Sequence, residues 1–203
     1  VSGPPPPTDF SSADLDIVSV PAGDVWGRIY QSRFPNPLGF GKGGSRFSDP
    51  RRRVERNRFG VFYLGRTLKV CFVEAVLRDD RDSVVGQFVM DEVEFTSRNY
   101  AEIEVAKPLT LLDLREDARI RQGVPSEVVG GKRHDLARRW SVAFYEHPLT
   151  LDGVIYPSRL NGIDNIALYD RAISKLGTRV IYALDAAPGL GLVMDTYKIA
   201  LTP

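Results

Sequence analysis

One carboxylate stands out among the residues able to do chemistry. Glu74 lies in VCFVEAVL, with apolar neighbours on both sides. An unpaired charge in the middle of a core costs several kcal/mol. Three situations fit: Glu74 points out to solvent, it is buried and paired, or it faces a cleft where an apolar wall and a charge are both useful. Three side chains elsewhere are candidate partners. Arg28 sits inside VWGRIY, where a strand puts Trp26 and Arg28 on one face. Arg46 follows a glycine loop in GGSRFSD, and Tyr63 lies near the end of GVFYL. A surface arginine and a core tyrosine are the plainer readings of Arg28 and Tyr63. The stretch GVIYPSRLNG adds Ser158. Its Gly-Val-Ile-Tyr reads as a buried strand stopped by Pro157, after which a hydroxyl, a guanidinium and an amide crowd the strand end. Such an end suits a ligand, and it also suits an ordinary turn.

Other chemistries fit less well. His134, His147 and the single Cys71 do not make a usual zinc set, so no metal is expected. There is no Gly-x-Ser-x-Gly elbow and no Walker loop. GFGKGGS, residues 39–45, has the glycines and a lysine without the spacing, and reads as a mobile loop. Glu92-Val-Glu94 and Glu102-Ile-Glu104 have the Glu-x-Glu spacing that some ADP-ribosyltransferases use. Alternation with Val93, Phe95, Ile103 and Val105 makes them solvated strand faces.

The elements that must position these residues read as follows. Val25–Tyr30 and Gly60–Leu64 are strands, separated by a loop over Pro35 to Asp49 and the basic run Arg51–Arg58, which reads as a solvated loop. Thr67 caps a mostly buried helix over Leu68–Arg78. Residues 88–114 alternate with period two and suggest two or three strands. Glu116–Arg121 reads as a helical turn. His134–Tyr145 reads as an amphipathic helix with Arg138 and Arg139 facing out. Gly153–Tyr156, Asn165–Tyr169, Arg179–Leu184 and Leu192–Ala200 read as strands. Many strands mixed with two or three helices argue an α+β fold. Residues 1–12 form a proline-rich flexible arm, and residues 13–203 one domain.

Composition narrows the function classes. The chain has 203 residues, of which 43% are hydrophobic and 26% charged, with a net charge of +1. That is an ordinary globular composition, and the charge gives no argument for nucleic acid or membrane binding. A single cysteine allows no internal disulfide and fits a reducing cytoplasm. No apolar run is long enough for a transmembrane helix, and VSGPPPPTDF does not read as a signal peptide.

The set Arg, Tyr, Glu, Ser resembles the RES-domain family, named for conserved Arg, Glu and Ser. VWGRIY supplies Arg28, GSRFSDP supplies Arg46, GVFYLGRTLKVCFVEAVLR supplies Tyr63 and Glu74, and GVIYPSRLNG supplies Ser158. The likeness spans roughly residues 20–185. It implies a fold related to ADP-ribosyltransferases, with NAD+ as substrate in a cleft between curved sheets. It implies an intracellular toxin that breaks the nicotinamide–ribose bond with water or phosphate, or an enzyme that transfers ADP-ribose to a protein. It also implies a partner, an antitoxin with an Xre-type helix-turn-helix domain that plugs the active site and carries the link to DNA. In that reading Glu74 stabilises cationic ribose, and Arg28 and Arg46 hold the pyrophosphate. Tyr63 stacks on nicotinamide or ribose, and Ser158 hydrogen-bonds the ribose or a phosphate. A module that binds a nucleotide without turning it over is the non-enzymatic alternative.

Overall fold

A computed structural model describes residues 3–51 and 54–202. Its strands are β1 Ile17–Val20, β2 Val25–Gln31, β3 Val61–Gly65, β4 Phe88–Asp91, β5 Arg98–Val105, β6 Leu109–Asp113, β7 Gly153–Pro157, β8 Asp164–Tyr169, β9 Leu176–Ala183 and β10 Ile199–Thr202. Its helices are α1 Leu68–Phe72, α2 Val93–Thr96, α3 Glu116–Arg121, α4 Ser126–Gly130, α5 Asp135–Glu146 and α6 Leu190–Thr196. This is the expected α+β architecture.

Eight strands form one mixed sheet in the order β1-β6-β7-β8-β3-β2-β5-β9, while β10 and β4 pair in parallel beside it. Within the large sheet only β6 and β7 run parallel. The connection lengths force this sheet to curl. In that order β6 and β5 stand five places apart, about 24 Å in a flat sheet at ~4.8 Å per strand. Residues 106–108 alone join them, a link that spans at most about 14 Å. The sheet therefore closes on an inner cluster that includes Trp26, Tyr30, Phe62, Leu64, Ile103, Leu111 and Ile166.

Alternation sends the intervening residues to the outer face, which two separate layers cover. Helices α4 and α5 pack over β3, β7 and β8 around Phe47, Trp140, Phe144 and Tyr169. Helices α1 and α6 pack over β2 and β5 around Ile29, Phe72, Phe95 and Leu190. Among the described residues no helix is long and apolar enough to cross a membrane.

Several local expectations are corrected. The proline-rich arm is not loose over its described part: the Trp140 indole donates to the Pro4 carbonyl at 3.0 Å, and Phe10 is buried edge-on against Trp140. Val93–Thr96 is a helical turn rather than strand, because Glu92 accepts the backbone bonds of Phe95 and Thr96. The apolar run from Leu192 divides into the end of α6 and then β10. Pro157 does not end its ladder: it stays opposite Asp164, and the Ser158 amide donates to Ile163 at 2.8 Å. Arg138 does not face out freely but holds the glycine loop through the carbonyls of Gly44 and Ser45. Of the basic run Arg51–Arg58, residues 52 and 53 lie outside the described residues. Arg51 is engaged internally, paired with Asp49 at 2.7 Å and with Glu146.

Candidate active site

The two outer layers leave a gap, and one row of residues crosses its floor. Gly27 of β2 is opposite Gly65 of β3, Gly65 is opposite Asn165 of β8, and Asn165 is opposite Tyr156 of β7. The two glycines allow α1 to sit down on the sheet. A Cβ at Gly65 would lie 2.6 Å from Val70 and 2.8 Å from the Cys71 sulfur, and one at Gly27 would lie 2.8 Å from Tyr100. Helix α1 starts at Thr67, whose hydroxyl accepts from the Val70 amide at 3.3 Å.

The helix then widens into a π-turn over Val73–Leu77, closed by the Arg78 amide on the Val73 carbonyl at 2.7 Å. Such turns shift the facing of the residues inside them and recur at functional sites. Val73, Val76 and Leu77 are buried, while Glu74 is exposed into the gap. Of the three situations open to Glu74, the cleft-facing one holds, with one correction: the carboxylate stands at an open mouth and not in a dry wall.

Glu74 is held from below. Ser158 donates from Oγ to Glu74 Oε1 at 2.7 Å, and Asn165 donates from Nδ2 to the same oxygen at 3.2 Å. Ser158 is 3% exposed and its Oγ also accepts from the Leu160 amide at 3.1 Å. The hydroxyl is thus committed to Glu74 rather than offered to a ligand, which revises the expected contact with ribose or phosphate.

The cavity above this floor measures about 590 Å³, within the range of sites that hold organic ligands. Five basic residues border it, Arg28, Arg46, Arg78, Lys132 and Arg159, against the acidic Glu74 and Asp79. Asp79 is ion-paired with Arg159. Arg46 lies close enough to feel Glu74: burial lowers its pKa, and the Glu74 carboxylate opposes that shift. Its Nη1 donates to the Gly131 carbonyl at 2.9 Å. Burial raises the phenols of Tyr63 and Tyr156, so both stay neutral. His134 also borders the cavity. Burial, and then the charges of Arg46, Arg138 and Arg159, holds its imidazole below the usual value.

The glycine loop forms one wall and is held by side-chain hydrogen bonds. The Arg28 Nη1 donates to the carbonyls of Pro37 and Gly39, at 2.6 Å each. Its guanidinium also stacks 4.2 Å from the Phe62 ring, and burial lowers its pKa to about 10. Arg138 donates to the carbonyls of Ser45 and Gly44. The Tyr63 hydroxyl donates to Ser45 Oγ and accepts from the Phe47 amide, both at 2.9 Å. Arg28 and Tyr63 therefore shape the cavity wall as well as bordering it.

Glu74, Arg28, Arg46 and Tyr63 thus come together around one cavity, with Ser158 behind it. Asn165, Tyr156, Arg78, Asp79 and Lys132 are wall residues that sequence patterns did not single out, whereas the Arg159 guanidinium belongs to the strand end after Pro157 that suits a ligand, and His134 was weighed as a metal ligand. The one available signal for Asn165 was a polar residue opening the apolar run NIALY. Among the described residues no group of three or more His, Cys, Asp and Glu side chains comes together.

Fold and site define a class: an α+β domain whose curled sheet supports a cationic cleft around one hydrogen-bonded carboxylate. Within that class, the RES domain matches residues 22–186, and the chain belongs to the RES domain family. It is similar to "Probable toxin y4kH" of Sinorhizobium fredii (strain NBRC 101917 / NGR234), with 39% identity over 117 residues, 57% of this chain and 92% of that protein. A solved structure described as the M. tuberculosis MbcT–MbcA toxin–antitoxin complex superposes with a TM-score of 0.62 and 19% identity. That likeness covers 88% of this chain and 91% of the other, and concerns the fold.

Proposed function

We propose that this RES-domain protein is a toxin that destroys NAD+ by cleaving its nicotinamide–ribose bond. The observation that carries the reading is the Glu74 carboxylate, fixed by Ser158 and Asn165 at the mouth of a strongly basic cavity. The basic wall suits the pyrophosphate of a dinucleotide, with Arg46 and Arg28 as the forked donors. When the C1′–N bond breaks, its electron pair leaves with neutral nicotinamide and positive charge builds on the ribose. Glu74 opposes that charge. A water oxygen then bonds to C1′ and gives up a proton, yielding ADP-ribose. Inorganic phosphate in place of water yields ADP-ribose-1-phosphate.

A second reading, transfer of ADP-ribose to a protein, draws on the exposure of Glu74, which leaves room for an acceptor side chain at the mouth. The toxin assignment draws on the relative named as a probable toxin and on the neighbour solved as a toxin–antitoxin complex. In this account the partner is an Xre-type helix-turn-helix antitoxin that covers the open mouth, and any DNA contact runs through it. The test is incubation of the pure protein with NAD+ while free nicotinamide is followed. Phosphate is added in one arm, and labelled NAD+ with candidate acceptor proteins in another. No nicotinamide in any arm would leave only a nucleotide-binding module.

A further inference from the structure

We infer that Asn165 is a positioning residue for Glu74, and that Glu74 Oε2 is the oxygen that meets the substrate. The inference rests on the reading of the cleft as the NAD+-cleaving site. Both donors to the carboxylate, the Ser158 hydroxyl and the Asn165 amide, land on Oε1. Among the described residues no hydrogen bond is made to Oε2. Two donors converging on one oxygen fix both the position and the plane of the carboxylate, and leave the lone pairs of the other oxygen for the cleft.

Asn165 suits this task for reasons of register and chemistry. It is buried and lies in the floor row between Gly65 and Tyr156, which fixes its height under α1. A carboxylate can only accept, so the amide must turn its NH2 to Glu74 and its oxygen away. That oxygen lies 3.2 Å from where a Cβ on Gly65 would be, and glycine leaves the space open. Aspartate has the same shape but no donor, and would place a like charge against Glu74. Ser158 comes from the turn after β7 and Asn165 from β8, so the two donors reach Oε1 from successive segments of one hairpin.

The test compares Asn165→Asp and Asn165→Ala with the parent protein, by steady-state nicotinamide release and by crystal structures without substrate. Loss of a charge-assisted donor predicts a fall in kcat of about tenfold for Asn165→Ala, with KM little changed. Asn165→Asp falls further, although it fills the same volume, and its crystal structure shows the Glu74 carboxylate swung off Ser158. A purely structural role predicts the opposite order, with the isosteric aspartate the milder change. Parent-like kcat in both variants, with Glu74 still seated on Ser158 in Asn165→Asp, overturns the inference. A displaced Glu74 in a protein whose parent releases no nicotinamide upholds the positioning and overturns the proposed function instead.

Discussion

Ser158→Ala separates two roles for the serine. The sequence suggested a hydroxyl in contact with ribose or phosphate, whereas the structure directs it to Glu74 Oε1 at 2.7 Å and buries it. A hydrogen bond to a charged group contributes about 1.5–3 kcal/mol. At about 1.4 kcal/mol per tenfold, its loss lowers kcat by roughly 10- to 150-fold if the transition state feels all of it. The Leu160 amide also loses its acceptor, at a cost to stability of about 1 kcal/mol. The decisive assay is a double-mutant cycle on nicotinamide release with Glu74→Gln. If Ser158 acts through Glu74, Ser158→Ala has little further effect on the residual rate of the Gln protein. An equal loss in both backgrounds, or a raised KM with unchanged kcat, would refute the reasoning and return Ser158 to direct substrate contact.

Two further outcomes follow from the same geometry. Gly65→Ala forces a methyl against Val70 and Cys71, an overpacking cost of about 1–3 kcal/mol. At about 2–4 °C per kcal/mol for a chain of this size, Tm falls by roughly 2–12 °C; a thermal melt within about one degree of the parent contradicts the close packing of α1. For His134, burial and the surrounding arginines depress the folded pKa, so the unfolded chain takes up a proton first as pH falls. Its contribution to stability is complete above the unfolded value near 6.5 and is lost as pH drops toward the folded value. The Tm difference between about pH 7.5 and about pH 5.5 therefore shrinks in His134→Asn, and an unchanged difference places the proton uptake elsewhere.

What could be read in advance depended on whether the information was local. The GVFYL strand, the Thr67 cap and a carboxylate in an apolar helix are all contained in residues 60–77, and together they located Glu74. Strand alternation put Trp26 and Arg28 on one face of β2, and there Trp26 enters the inner cluster while Arg28 stacks on Phe62 of the same cluster. The π-turn has no period of its own to detect, yet it sets the facing of Glu74. Ser158 was found by type and misjudged in direction, because its partner is 84 residues away in the chain. Asn165 depends on the pairing of Gly65 with a strand from the far end of the sequence, and no local pattern carries that register. The run from Leu192 was misread for a simpler reason: short apolar stretches suit a strand or a helix turn equally.

The proposed role of Glu74, stabilising a cationic ribose, is measured most directly by nicotinamide release from NAD+ by the parent protein beside Glu74→Gln. Gln keeps the shape and an acceptor for Ser158 and Asn165 while removing the charge. Steady release by the parent and a loss on the order of a hundredfold or more in the variant are expected. Equal rates from the two proteins, or no release from either, would contradict that role.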